Sequence, residues 1–594
     1  MTKECQNCKV GFEITDDDLR FYNRIKVPPP TWCPECRLQR RLAWRNERAL
    51  YQRRCDLCKK DIIAMYPEGT VFPVYCRGCW YSDTWDELSY GKDYNSNKPF
   101  FEQFKELQNS VPRINLMVDN SVNCDYTNQI ADCKNCYLIS SGSDNEDCLY
   151  SFRILYSKNV VDGYLMLRNE LCYECIECME VSRLKFVEDS VSSLDLAFCY
   201  DVRGSQNCFL SSNLRNSSYV FENKKRSKEE FNKLMSGIDM GSYNNIQLYK
   251  DKFLELKRKS IHRFMNTKNA VNSTGHTISY AKNCHFCFNV ANVENLRYVL
   301  FVNDAKDAMD VNNGCCTMEL AYEVCTMGVN ASNIKFSVDA WPEVRNLEYC
   351  DSGRNGSHDL FGCISVRKKQ YCILNKQYTK EKYLELISKI QAQMTEVPYV
   401  DKKGRIYKYG EFFPAELSPF PYGDSVAYDY YPLTKEEAAE RGYPWRDPIK
   451  KDYNSAVKPQ DLPDHIDQVD DTILNAIIEC EHEQKCNERC TKAFRIIPME
   501  LEFYRKINVP LPRLCPNCRH YQRHKQRNPL TLWHRRCECE GQMSKLKGQN
   551  QYKNTADHIH HKKDEHCQNE FETTYAPERL EIVYCEACYL REVV

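Results

Sequence analysis

The chain has 594 residues, 42% of them apolar and 12% aromatic, with a formal net charge of −1. Such a length and composition describe a globular protein of several domains. They exclude a global field that would draw the whole molecule to nucleic acid or an anionic membrane, so any such affinity must sit in local patches. The anomaly is cysteine, at 35 residues. No basic start leads into an apolar stretch of signal-peptide type, and no apolar run is long enough to span a membrane. The expectation is a cytoplasmic chain without membrane contact, whose thiols stay reduced. Cys-x-x-Cys spacing then points to metal ligation.

Residues 1–80 carry four Cys pairs: Cys5 with Cys8, Cys33 with Cys36, Cys55 with Cys58, and Cys76 with Cys79. A knuckle, a hairpin-length spacer and a second knuckle form a zinc ribbon, in which four thiolates satisfy one tetrahedral ion and leave no open position. The spacing leaves open whether the pairs join in order or interleave between two ions. The first spacer, ITDDDLRFYNRIKVPPP, supplies Leu19, Phe21, Tyr22, Ile25 and Val27 to cover a site. Between Cys36 and Cys55 runs a basic bridge of Arg37, Arg40, Arg41, Arg45, Arg48, Arg53 and Arg54 against one acid, Glu47.

Residues 81–114 read as a connector with one short amphipathic helix from Phe100 to Leu107. From 115 to 238 helical periodicity gives way to short β-prone runs alternating with Asn, Asp, Gly and Ser. Cys124, Cys148 and Cys172 are 24 apart with Cys136 midway between the first two, and Cys175 and Cys199 are again 24 apart. Such regularity predicts a parallel β-solenoid with Cys and aromatics packed inside. Metal ligation by Cys172, Cys175 and Cys178 is the alternative to packing. Ser227 and Glu230 form a capping box for a closing helix, and a linker helix occupies 239–264.

A second segment, 265–394, repeats the plan. It has Cys284 and Cys287, then Cys325 and Cys350 at a spacing of 25. Tyr219, Asn223 and Phe231 match Tyr371, Asn375 and Tyr383 at constant offset, so each segment is expected to end in a helical cap. The Pro- and Tyr-rich stretch 395–479 reads as an extended connector, with a capping box at Thr434 and Glu437.

Residues 480–594 duplicate the first eighty. Leu501, Phe503, Tyr504, Val509, Cys515, Cys518, Arg523, Arg527, Arg535 and Arg536 repeat Leu19, Phe21, Tyr22, Val27, Cys33, Cys36, Arg41, Arg45, Arg53 and Arg54 without a gap. Cys537, Cys567, Cys585 and Cys588 complete a fourth ligand set, and Cys486 and Cys490 open the third, with Cys480 as an alternative to Cys486. Cys537 and Cys567 lie 30 apart where Cys55 and Cys58 lie three apart, an insertion of 27 residues. It holds Cys539, His558, His560, His561 and His566, and reads as a loop in which Cys539 or His566 could replace a ligand.

The architecture expected is mainly β with short helices: paired zinc ribbons at both termini, with about four structural zinc ions, flanking two parallel β-solenoid-like segments. The second basic bridge includes Arg519, Arg523, Lys525, Arg527, Arg535 and Arg536, interleaved with Tyr521 and Trp533 as the first is with Trp44 and Tyr51. Arg binds phosphate bidentately and aromatics stack on bases, so the favoured function is non-enzymatic binding of nucleic acid, RNA above all. The competing reading is that these arginines pair with acids elsewhere in the chain. A scaffold that binds protein partners along the solenoid faces, or that self-associates, is the second hypothesis. An enzyme of β-helix or nuclease type is the third. It is disfavoured because Asp162, Asp195 and Asp201 are scattered rather than paired.

The motifs FYNRIKVPPPTWCPECRLQRRLAWRNERALYQRRCDLC, GEFFPAELSPFPYGDSVA and TYAPERLEIVYCEACY resemble a family of uncharacterised bacterial proteins, known mainly from metagenomes, that are Cys-rich and carry several zinc ribbons. The resemblance implies the ribbons and no particular activity.

Overall fold

A computed structural model describes residues 1–447, 453, 457–539, 543–545, 551–562 and 565–594. It is built mainly of strands, with several helices and Cys clusters near both termini. The chain divides into two compact units, each assembled from two separated stretches. One joins Met1–Leu116 to Met265–Asp447, and the other joins Met117–Phe264 to Pro448–Val594. Each unit therefore combines one terminal Cys-rich module with one of the two central β segments.

In the central segment of the second unit, strands pair in parallel at a constant offset of twelve residues: Cys136 with Cys124, Leu184 with Cys172, Leu196 with Leu184, Cys208 with Leu196. Every third residue from Asn120 to Glu222 has positive φ, so each repeat of twelve breaks into four three-residue steps. The residue after each positive-φ position turns inward, as in the buried set Cys136, Cys148, Val160, Cys172, Leu184, Leu196 and Cys208. The 24-residue spacing of cysteines is two such repeats, with Val160 standing where the intervening Cys would be. The inward thiols are packed and donate to carbonyls two residues back, Cys172 to Glu170 at 3.3 Å and Cys175 to Tyr173 at 3.4 Å.

A positive φ is costly for most side chains and least so for Asn and Asp. Most of the Asn and Asp so frequent here fall on these steps, and some bond along the stack, Asn123 to Asn135 at 2.9 Å and Asn135 to Asp147 at 3.1 Å. In the first unit the corresponding segment has offsets of eleven to thirteen. The longer repeats coincide with doubled positive-φ positions at Cys316–Thr317 and Val329–Asn330. The 25-residue spacing of Cys325 and Cys350 does not place them in one column. Cys325 pairs with Val338, while Cys350 donates its N–H to Ser337 Oγ, the residue paired with Val324.

The capping motifs are formed. Ser227 and Glu230 cap the Lys228–Ser236 helix, and Thr434 and Glu437 cap Lys435–Glu440. Tyr219 meets Phe231 edge-on at 5.9 Å, and Tyr371 meets Tyr383 at 5.7 Å. Asn223 and Asn375 accept from the backbone N–H of Ser212 and Ile364. The linker helix spans Tyr243–Lys259, and the Phe100 helix ends at Gln108.

The stretch beginning at 395 is not an extended connector. Phe412, Phe413, Leu417 and Tyr422 are buried in the first unit, and Trp44 stacks on Phe413 at 4.6 Å. Its aromatic content outweighs the chain-stiffening prolines. Residues 448–452 and 454–456 of the expected connector lie outside the described residues.

Candidate metal centres

Each Cys-rich module builds its ligand sets with the same local device. A Cys stands at the N-cap of a helix whose first residue is often Pro, as Cys33 does for Pro34–Leu42 and Cys515 for Pro516–Lys525. Pro at that position costs no hydrogen bond and presets φ. The capping Cys then donates its own N–H to a thiol across the site. Cys33 N–H bonds Cys5 Sγ at 3.2 Å, Cys76 bonds Cys55 at 3.3 Å, Cys515 bonds Cys480 at 3.2 Å, and Cys585 bonds Cys537 at 3.2 Å.

Four quartets result: Cys5, Cys8, Cys33, Cys36; Cys55, Cys58, Cys76, Cys79; Cys480, Cys490, Cys515, Cys518; and Cys537, Cys567, Cys585, Cys588. The pairs therefore join in order and do not interleave. The third set differs from expectation, because Cys480 takes the place assigned to Cys486. Cys480 receives the same N–H bond as Cys5, so the two-residue gap of the first knuckle is lengthened to nine. Cys486 lies beside the set, 3.8 Å from Cys518.

Sulfurs around a tetrahedral ion bonded at about 2.3 Å must lie about 3.8 Å apart. The sulfurs here are 3.7 Å apart for Cys8 and Cys33, 3.8 Å for Cys58 and Cys76, 3.8 Å for Cys480 and Cys518, and 3.9 Å for Cys567 and Cys585. These quartets could hold metal ions, and with four thiolates each would be closed to substrate. The thiols of one quartet are driven in opposite directions: in the second, burial pushes Cys79 up to about 12. Burial pushes Cys55 up, but the backbone N–H groups of Cys76, Cys58 and Leu57 bring it down to about 7. Cys490 is held at about 6, chiefly by the Cys480 thiol.

The basic bridges are placed differently from expectation. Arg37 donates to Asp310 at 3.0 Å and to the Trp32 carbonyl at 2.7 Å. Arg40 reaches Glu323 at 3.0 Å and Glu411 at 3.2 Å, and Arg41 reaches Asp310 at 3.1 Å and Glu323 at 2.9 Å. All three guanidinium groups are 0–1% exposed. Arg45 pairs with Glu47 and Thr326, and Arg53 with Asp56, Thr70 and the Pro67 carbonyl.

The second unit repeats this arrangement. Arg519 donates to Asp162 at 2.8 Å and to Glu500 at 3.3 Å, and Arg523 to Asp162 at 2.8 Å. Arg527 pairs with Glu177, and Arg535 with Glu538. An arginine sealed on a carboxylate cannot meet a phosphate, so these nine side chains are removed from the expected nucleic-acid surface. Arg48 is half-buried. Arg54, Lys525 and Arg536 remain exposed, each beside an acid: Asp61, Glu488 and Glu570.

The acids that receive the arginines carry no local sequence signal. Met309 pairs with Tyr322 and Val311 with Val324, so Asp310 and Glu323 are successive members of one column, both at positive-φ steps. Burial pushes Glu323 up, against the pull of Arg40 and Arg41. Burial likewise raises Glu500, which Arg519 opposes. The carboxylates considered for catalysis are all engaged: Asp162 as above, Asp195 with Arg183 at 2.6 Å, and Asp201 with Arg215 at 2.9 Å.

No family model matches the chain, and no curated protein matches it. Among solved structures, a putative acetyltransferase from Desulfovibrio desulfuricans G20 is aligned over 51% of this chain and 75% of its own, at 8% identity. Its TM-score of 0.09 carries no argument about fold or activity. Among the described residues no helix is long and apolar enough to cross a membrane.

Proposed function

We propose that this chain is a zinc-stabilised, non-enzymatic scaffold. In this reading each unit is a parallel β-solenoid clamped to a pair of zinc ribbons, and the solenoid faces receive protein partners. The observation that carries it is the burial of Arg37, Arg40 and Arg41 on Asp310 and Glu323, matched by Arg519 and Arg523 on Asp162. The bridges that suggested phosphate binding serve instead to hold ribbon and solenoid together. The constant twelve-residue register supports the solenoid, and the thiol spacing supports tetrahedral zinc. A reducing compartment such as the cytoplasm goes with this reading, because it keeps thiols available to metal.

What such a scaffold offers a partner is a ladder of alternating charge. Lys134, Glu146 and Lys158 stack at 3.4 and 2.9 Å, and Lys282, Glu294 and Lys306 at 3.7 and 3.4 Å. Mixed ladders of this kind suit a complementary protein surface better than a polyanion, which the interleaved acids would repel.

The deciding experiment is RNA binding by the full-length protein across a salt series, beside a variant with Arg54, Lys525 and Arg536 changed to Glu. The scaffold reading expects no affinity that falls steeply with salt. Salt-steep binding that is lost in the variant would return the function to nucleic acid, through the exposed cations alone.

A further inference from the structure

Beside the fourth quartet stands a second group of donors on the inserted stretch. Cys539 Sγ lies 3.4 Å from His558 Nδ1 and 3.4 Å from His561 Nε2, and those two nitrogens are 3.2 Å apart. His561 Nε2 is also 3.6 Å from Cys588 Sγ. All four donor atoms lie within 4.8 Å of one another. For metal–sulfur and metal–nitrogen bonds of about 2.3 and 2.05 Å, a tetrahedron has S–N edges of about 3.5 Å and an N–N edge of about 3.3 Å. The four distances above match those edges.

Each imidazole is also oriented for ligation. His558 offers its other nitrogen, Nε2, to Glu592 at 2.8 Å, a pair whose side chains are 2% and 0% exposed. Glu592 is itself held by the Thr555 N–H at 2.7 Å and the Ala556 N–H at 3.2 Å. His561 turns Nδ1 to the Lys562 carbonyl at 3.0 Å. Carboxylate and carbonyl acceptors behind a histidine fix the tautomer that leaves the facing nitrogen free to bind a metal. Asn554 Nδ2 donates to Cys539 Sγ at 3.2 Å. The Cys539 carbonyl accepts from Cys567 N–H at 2.8 Å, which ties the second group to the first.

We propose that Cys539, His558, His561 and Cys588 bind a further divalent transition-metal ion. The Cys588 thiolate then bridges it to the ion of Cys537, Cys567 and Cys585, making a two-metal cluster of five Cys and two His ligands. The insertion is thus a metal-binding element. His560 Nε2, 3.0 Å from Cys588 Sγ, is a hydrogen-bond donor to the shared sulfur. This inference rests on the metal reading of the fourth quartet.

The test is cadmium-113 NMR of the full-length protein reconstituted with that isotope, together with metal counting. The expected spectrum contains one resonance of mixed sulfur–nitrogen type, coupled through the shared thiolate to one all-sulfur resonance. The wild type is expected to retain one more ion per chain than the His558→Ala/His561→Ala variant. Glu592→Gln is expected to keep the same ions with that one bound about 10- to 100-fold more weakly. All-sulfur resonances alone overturn the cluster and leave the quartets standing, whereas no resonances at all overturn both. Equal counts in wild type and variant also overturn the cluster. If the double variant fails to fold, the wild-type spectrum decides alone.

Discussion

Arg519 donates to Asp162 at 2.8 Å across 357 residues of chain, and both side chains are sealed from water, at 3% and 0% exposure. Asp162 also receives Arg523, so one buried carboxylate holds two guanidinium groups. Asp310 does the same for Arg37 and Arg41 in the other unit. Leaving such charges unpaired costs about 3–5 kcal/mol. Asp162→Ala is therefore expected to destabilise the unit containing it by that amount, and Asp310→Ala the other. Calorimetry and proteolysis of each variant check this. Fragments from the mutated unit should appear first, and equal protection of both units in both variants would refute the clamp.

The exchange of Cys486 for Cys480 in the third quartet separates two variants. Cys480→Ala is expected to lose one metal ion per chain and to expose Pro498–Ile507 and Pro516–Lys525 to protease. Cys486→Ala is expected to retain the ion, since Cys486 is not in that quartet. Elemental analysis after gel filtration reads both, and loss of metal from Cys486→Ala with retention in Cys480→Ala would reverse the assignment.

His262 is fully buried in the second unit, with Nδ1 2.7 Å from Tyr200 Oη and Nε2 2.9 Å from the Lys257 carbonyl. Burial brings it down to about 4 from the ordinary 6.5. A depressed folded-state value means the unfolded chain takes up the proton more readily. The stabilisation is present above pH 6.5 and is lost as pH falls from there toward 4. Denaturant midpoints between pH 7 and 4.5, with metal in excess, should fall more steeply for the wild type than for His262→Gln. Parallel slopes would remove His262 from the acid response.

The positive-φ steps allow a backbone test. Asn135 has φ 53 and bonds Asn123 and Asp147 along the stack. Asn135→Val places a β-branched residue in the left-handed region and is expected to cost about 1–2 kcal/mol, whereas Asn135→Gly should cost less. Urea denaturation that ranks Val at or above Gly would contradict the left-handed assignment.

The two N-terminal ligand sets were legible because Cys-x-x-Cys spacing is a local property, and so were the capping boxes at Ser227 and Thr434; the third set was misassigned at Cys486 because the gap from Cys480 to Cys490 breaks that spacing. The closing motif was legible too, since Tyr219 with Phe231 and Tyr371 with Tyr383 repeat at fixed offset. The repeat length was read as its double, although Cys136 marks the half-step once, because Val160 interrupts the cysteine column between Cys148 and Cys172. Pairing of the arginines with distant acids stood as the competing reading, but the acids themselves were not legible. Their charge is written locally, but Asp310 lies 273 residues from Arg37, and nothing around it marks it as a partner. The burial of Phe412 and Phe413 was hidden for a related reason, since Pro- and Tyr-rich composition imitates a linker until the surface it covers is known.

Because each unit draws on two separated stretches of chain, neither can be completed as it leaves the ribosome. Residues 117–264, which belong to the other unit, are made before the segment that receives Arg37 and Arg41. At about 5–20 residues per second, the 273 residues between Arg37 and Asp310 take on the order of 15–60 seconds to synthesise. Throughout that interval Arg37 and Arg41 are without Asp310, while Arg45 and Arg53 already have Glu47 and Asp56 within reach. Metal loading of the first two quartets, whose ligands all lie between Cys5 and Cys79, would give the nascent N-terminal module a fold of its own before Asp310 emerges.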